Sequence, residues 1–125
     1  MKRIISLLLV LILAVGMLAS CGNASLAKRI NKAVEKGEPM SYATVKAKLP
    51  SDAFWYGFDT PVGNENGVFC VAEGVNSQES FDKMIANIVA GESYRGIIVR
   101  IMNGKAIGAV GGKLDKAAYE DLKSK

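Results

Sequence analysis

Ile97-Ile98-Val99-Arg100-Ile101-Met102-Asn103-Gly104-Lys105-Ala106-Ile107-Gly108-Ala109-Val110 is the stretch that decides the fold. Asn-Gly between two apolar runs is the strongest short hairpin signal, because a two-residue type I′ turn needs positive φ at both central positions. With that turn, Met102 faces Lys105, Ile101 faces Ala106, Val99 faces Gly108 and Ile97 faces Val110. Alternate side chains of a strand point to opposite sides. Ile97, Val99, Ile101, Ala106 and Val110 then form one apolar face, expected in the core, and Arg100 and Lys105 stand on the other. Gly108 opposite Val99 leaves room for something bulky, such as a helix.

Working outward, Val68 to Glu73 reads as a compact strand stopped by Gly74. Ala53 to Phe58 is aromatic and strand-like, and Asp59 to Gly67 is a loop rich in Gly and Asn. Between the strands, Asn76 and Glu79 nearly match a capping box, and Phe81, Met84, Ile85 and Ile88 make a helical stripe that Gly91 closes. Past the hairpin, Gly111-Gly112-Lys113 lacks the spacing of a phosphate loop and reads as a hinge. A last helix is expected from about Leu114 to Leu122, with Ala118 and Tyr119 inward.

Two helices precede the sheet. Asn23 or Ser25 caps the first, in which Leu26, Ile30, Ala33 and Val34 are apolar and Lys28, Arg29, Lys32, Glu35 and Lys36 fall on the other side, with Gly37 at its end. Ser41 caps the second, striped by Tyr42, Val45 and Leu49 and stopped by Pro50. The expected class is α+β: two short N-terminal helices and a small antiparallel sheet with an inserted helix and a C-terminal helix, forming one domain over 25–125.

The N-terminus carries the most specific signal. Lys2 and Arg3 precede the apolar run Ile4 to Leu18, and Leu18-Ala19-Ser20 leads to Cys21. A charged start, a short apolar stretch and small residues make a secretory signal. The run is about fifteen residues, short of the roughly 20 that a permanent span needs. Residues 1–21 resemble the lipobox signal of bacterial lipoproteins. That resemblance implies cleavage after Ser20, a diacylglyceryl group on Cys21, a tether over 21–24, and residence on the extracytoplasmic face of the cell membrane, or of an outer membrane where the host has one. Gly22 stands where an inner-membrane retention signal would have Asp, which leaves both destinations open.

Removing Lys2 and Arg3 from the 16 basic residues leaves 14 against 12 acids, a net charge of +2. That is no nucleic-acid footprint, which needs a strongly basic face. The charge is nonetheless segregated. Residues 22–50 carry six Lys or Arg against Glu35 and Glu38, 51–94 carry seven acids against Lys83, and 95–125 carry seven bases against three acids. The first block follows the anchor and suits anionic headgroups, or simply a solvated helix face.

The chain has two cysteines and no histidine. With Cys21 lipidated, Cys70 has no disulfide partner, and no zinc site can be built from one thiol without imidazole. A nucleophilic Cys needs an activating base, so Cys70 reads as a buried core residue. Asp52, Asp59, Glu65 and Glu73 lack calcium-loop spacing and read as solvated acids. Phe54, Trp55 and Tyr56 are the candidate interaction surface. Phe54, Tyr56 and Phe58 share one side of their strand and Trp55 takes the other.

Met40-Ser41-Tyr42-Ala43-Thr44-Val45 leading to Leu49, and the hairpin Ile97 to Val110, resemble the second helix and terminal hairpin of small envelope lipoproteins of the SmpA/OmlA (BamE-like) type. Pro50 in place of a Gly, and the helix inserted over 76–91, depart from that group. The expected function is a membrane-anchored, non-catalytic envelope module without cofactors that binds a protein partner or supports assembly. The alternatives are a small ligand-binding or inhibitor module using residues 54–58, and, disfavoured by the missing His, a small enzyme.

Mass spectrometry of the mature N-terminus is expected to find diacylated Cys21 as the first residue. Cys21→Ser should leave an uncleaved or mislocalised precursor. An intact Met1 or an unmodified Cys21 would refute the lipobox reading.

Overall fold

The computed structural model describes residues 22–58, 61 and 63–125; the signal segment, Cys21 and Asp59 lie outside these. In chain order they form α1 (22–35), α2 (Tyr42–Lys48), β1 (Phe54–Gly57), β2 (Gly67–Ala72), α3 (Gln78–Val89), β3 (Tyr94–Met102), β4 (Lys105–Leu114) and α4 (Lys116–Lys123). The strands make one antiparallel sheet in the order β1-β2-β3-β4. The α+β class, with two helices before the sheet, one inserted and one after it, is as the sequence predicts.

Both faces of this sheet are covered. On one, Leu26, Ala27 and Ile30 of α1 and Val45 and Leu49 of the α2 segment pack on Phe69, Ile97, Val99, Ile101, Ala106 and Ala109. On the other, Met84 and Ile88 of α3 and Leu122 of α4 pack on Cys70, Ile98, Val110 and Leu114. The sheet therefore separates two cores, one on each face. A strand buried on both sides reads as a nearly continuous apolar run, which is what Ile97 to Ile101 is, with Arg100 the only break.

The hairpin register is corrected beyond its first two pairs. Met102 faces Lys105 and Ile101 faces Ala106 as expected, but a bulge between Arg100 and Ile101 then puts Arg100 opposite Gly108, Val99 opposite Ala109, Ile98 opposite Val110 and Ile97 opposite Gly111. The extra residue, Ile107, reverses the alternation of β4 from that point. Val110 therefore moves to the α3/α4 face. The α1/α2 face of β4 keeps the small residues Ala106, Ala109 and Gly111. Helix α1 lies so close there that a Cβ on Gly111 would overlap the Asn23 carbonyl oxygen. Gly108 does face a bulky neighbour, the C-terminal Lys125 side chain just past α4.

Several boundaries also differ. Helix α1 already runs at residue 22, so residues 22–24, expected in the tether, are helical, and Asn23 and Ser25 lie inside the helix and do not cap it. Ser77, not Asn76, caps α3, and the reciprocal partner is Ser80. The supposed hinge at Gly111–Lys113 is part of β4, and Leu114 is its last residue; Asp115 caps α4 through the Ala118 amide. Ser41 caps α2 by accepting from the Thr44 amide, and the last amide bond of that helix comes from Leu49, just before Pro50.

The outer edge of β4 is occupied by the N-terminal segments. The Ala106 amide donates to Met40 O, and the Tyr42 amide donates to Gly104 O, each at 2.8 Å. Further along, Asn31 donates to Ala109 O and accepts from the Ala109 amide, both at 2.9 Å. Its amide thus imitates a neighbouring strand and satisfies an edge that would otherwise be open.

Asn103 (φ 51°) and Gly104 (φ 74°) form the expected type I′ turn. The turn is also clamped by the 63–66 loop, with Gly104 donating to Glu65 O at 2.9 Å and Asn103 to Asn66 Oδ1 at 3.0 Å. A Cβ at Gly104 would overlap the Gly63 carbonyl, whereas at Gly37, which shares the same φ, it would meet nothing. Gly37→Ala should therefore cost only backbone strain, about 1 kcal/mol, and Gly104→Ala about 2–3 kcal/mol. Denaturation midpoints check this, and equal losses would mean that the clamp adds nothing.

Candidate functional site

The aromatic residues of β1 divide between the two faces. Trp55 points to the α1/α2 side, where its ring lies 4.7 Å from Phe69 and 4.9 Å, edge-on, from Tyr42. Tyr42 stacks on Phe69 at 5.0 Å, so these three rings close one end of that core. Phe54 points to the other side, toward Phe81. The candidate surface of Phe54, Trp55 and Tyr56 is thus not one surface. Phe58, which follows β1, is 73% exposed.

Of the three candidates, Tyr56 borders an opening. Over the sheet, helices α3 and α4 line a cleft of about 370 Å³. Val68, Ile98 and Arg100 form its floor, Phe81, Asp82 and Ile85 one wall, and Tyr119, Leu122 and Lys123 the other; Tyr56 closes an end. Tyr56 is held by ring contact with Phe81 at 5.3 Å and by Gln78, whose side chain donates to its hydroxyl at 2.9 Å.

Arg100 is the polar centre of the floor. Its Nη1 donates to Leu122 O and Lys125 O, each at 3.1 Å. Leu122 O belongs to the last turn of α4 and Lys125 O lies just past its end, at the negative pole of the helix, where a cation is favoured. Gly108 opposite Arg100 admits the chain end to that position. Arg100 therefore pins α4 to the sheet and keeps one wall of the cleft in place. At the rim, Lys123 pairs with Glu120 at 3.7 Å and lies 4.9 Å over the Tyr119 ring. The exposed Asp82 on α3 gives the opposite rim a negative charge. The resulting opening has apolar side chains around Arg100 at its base and charges of both signs at its lips.

The other sequence candidates do not converge on it. Cys70 is fully buried in the α3/α4 core, and burial pushes its thiol up to about 12. Glu65 donates nothing; its carboxylate accepts from the Gly63 amide at 2.9 Å and shapes the loop. Asp52 and Glu73 are exposed. Among the described residues, no three His, Cys, Asp or Glu side chains gather where they could hold a metal ion. The sequence reading missed the cleft, although Tyr56, Arg100 and Tyr119 were each placed on a face; their meeting depends on how α3 and α4 cross the sheet.

No protein family, curated protein or solved structure matches this chain.

Because the folded thiol holds its proton to about 12, against an ordinary value of 9.0, the native state binds more protons than the unfolded chain between those values. Stability from this group is complete below pH 9 and falls as pH rises toward 12. Folded protein should therefore resist alkylation at neutral pH, and the wild-type denaturation midpoint should fall more steeply above pH 9 than that of Cys70→Ala. Rapid labelling of the native protein, or parallel pH profiles, would contradict this.

Proposed function

We propose that this chain is a lipid-anchored envelope protein whose single folded domain is a non-catalytic binding module, and that its site is the cleft between α3 and α4. The anchor rests on Leu18-Ala19-Ser20-Cys21 and the short apolar run before it. Among the described residues no helix is long and apolar enough to cross a membrane. The observation that carries the binding reading is the cleft itself: a floor of Val68 and Ile98 around Arg100, ringed by Tyr56, Tyr119, Asp82 and Lys123. Aromatic and Arg-lined hollows of this kind are where protein interfaces concentrate their binding energy. The occupant is a segment of an envelope protein that inserts an apolar side chain between the two lips. The non-catalytic reading is supported by the absence of His and by the buried, proton-holding Cys70.

A second reading is favoured by Arg100 in the floor and Lys123 at the rim of the cleft: a small amphiphile with an anionic head, for which about 370 Å³ lies at the lower end of ligand-pocket sizes.

A photoreactive residue at Asp82 or Lys123 is expected to crosslink in intact membranes to a discrete protein, and one at Lys36, just past α1, is not. Ile85→Trp, which fills the cleft, should remove the adduct while the thermal midpoint stays near wild type. Adducts that persist in the filled variant would place the partner elsewhere. A small molecule in organic extracts of the purified wild type, absent from Ile85→Trp, would select the second reading.

A further inference from the structure

The six basic residues of the first charge block do not scatter over the domain; they all belong to the layer formed by α1 and α2. At about 100° per residue, Lys28, Arg29 and Lys32 of α1, and Lys36 just past its end, fall within one arc opposite the buried Leu26, Ala27 and Ile30. All four are exposed, as are Lys46 and Lys48 of α2. Among the described residues the ion pairs within 4 Å are both on or just past α4, so none of these six is neutralised by a close acid. Beside residue 22 the same layer has a hollow of about 520 Å³, with Leu26, Leu49 and Val71 in its base and Arg29 and Lys48 at its rim.

From this placement we infer that the α1/α2 layer is a membrane-docking face for anionic phospholipid headgroups, and that the domain lies with α1 along the bilayer. The inference rests on the proposed anchor for its geometry. Because α1 already runs at residue 22, a lipid on Cys21 leaves a reach of only about 3.8 Å, one residue, between anchor and helix. An upright α1 would carry Lys32 and Lys36 roughly 15–20 Å from the surface. That is beyond the screening length of about 8 Å in physiological salt. Lying flat brings all four cations of its outer face within range. The hollow at the anchored end suits a headgroup phosphate between Arg29 and Lys48 above an apolar base. The α3/α4 cleft then opens on the far side of the sheet, toward the aqueous compartment.

The test uses the full chain, processed in cells, purified and placed in vesicles of phosphatidylcholine alone or with phosphatidylglycerol. Amine acetylation is read lysine by lysine. On the anionic vesicles, Lys28, Lys32 and Lys36 should be labelled several-fold more slowly than on phosphatidylcholine, and roughly 1 M salt should abolish the difference. Lys83, Lys116 and Lys123 should be labelled equally on both. Equal labelling at α1, or protection centred on α3 and α4, overturns the inference. Flotation with phosphatidylcholine reads the anchor separately. A chain that fails to float has no lipid, and the face must then show salt-sensitive flotation with phosphatidylglycerol vesicles that Lys28→Glu with Lys32→Glu reduces at least tenfold; without it the face also fails.

Discussion

Strand β3 is apolar on both of its sides, and the remaining architecture follows from that. Ile97, Val99 and Ile101 face one way and Ile98 the other, and all four are buried. At roughly 25 cal/mol per Å² of apolar surface, leaving either side in water would forfeit several kcal/mol. One helical layer cannot cover two faces. The chain therefore uses its first two helices on one face and the inserted and terminal helices on the other.

The two layers are attached differently, and the difference bears on function. On the α1/α2 side, small residues of β4 allow close approach, and the strand edge is closed by Met40, Tyr42 and Asn31. That helix layer is bonded to the sheet main chain and continues directly toward the proposed lipid site. On the other side, α4 is short, and side chains hold it: Leu122 in the core and Arg100 on its terminal carbonyls. The cleft is lined by both helices there. The basic, tightly fastened layer suits a bilayer, and the open one suits a partner.

Arg100 joins these themes. As the one charged residue within the Ile97–Ile101 run, it interrupts the second core where the cleft lies. Its guanidinium is satisfied by helix-end carbonyls, so a charge placed in an apolar strand is stabilised by hydrogen bonds. The bulge one residue away brings Gly108, and not a larger side chain, opposite it. Without that offset the chain end would lose its place against the sheet.

Much of this was legible in the chain alone. Ser41, Pro50, Gly91 and Asn103-Gly104 act through their own backbone geometry or that of the next turn, and each ends or caps an element where expected. The stripes of α2 and α3 and the first pairs of the hairpin follow from local periodicity. The α+β class belongs to the same kind of information. What tertiary structure alone decided is the bulge at Ile107, the second buried face, the edge bond of Asn31 to Ala109 across 78 positions, and the cleft. A one-residue bulge has little local signature, because Ala106, Gly108, Ala109 and Gly111 suit either alternation. It is chosen by which face must receive Val110 and how closely α1 must approach. Those are long-range packing energies, which depend on segments that no local window contains.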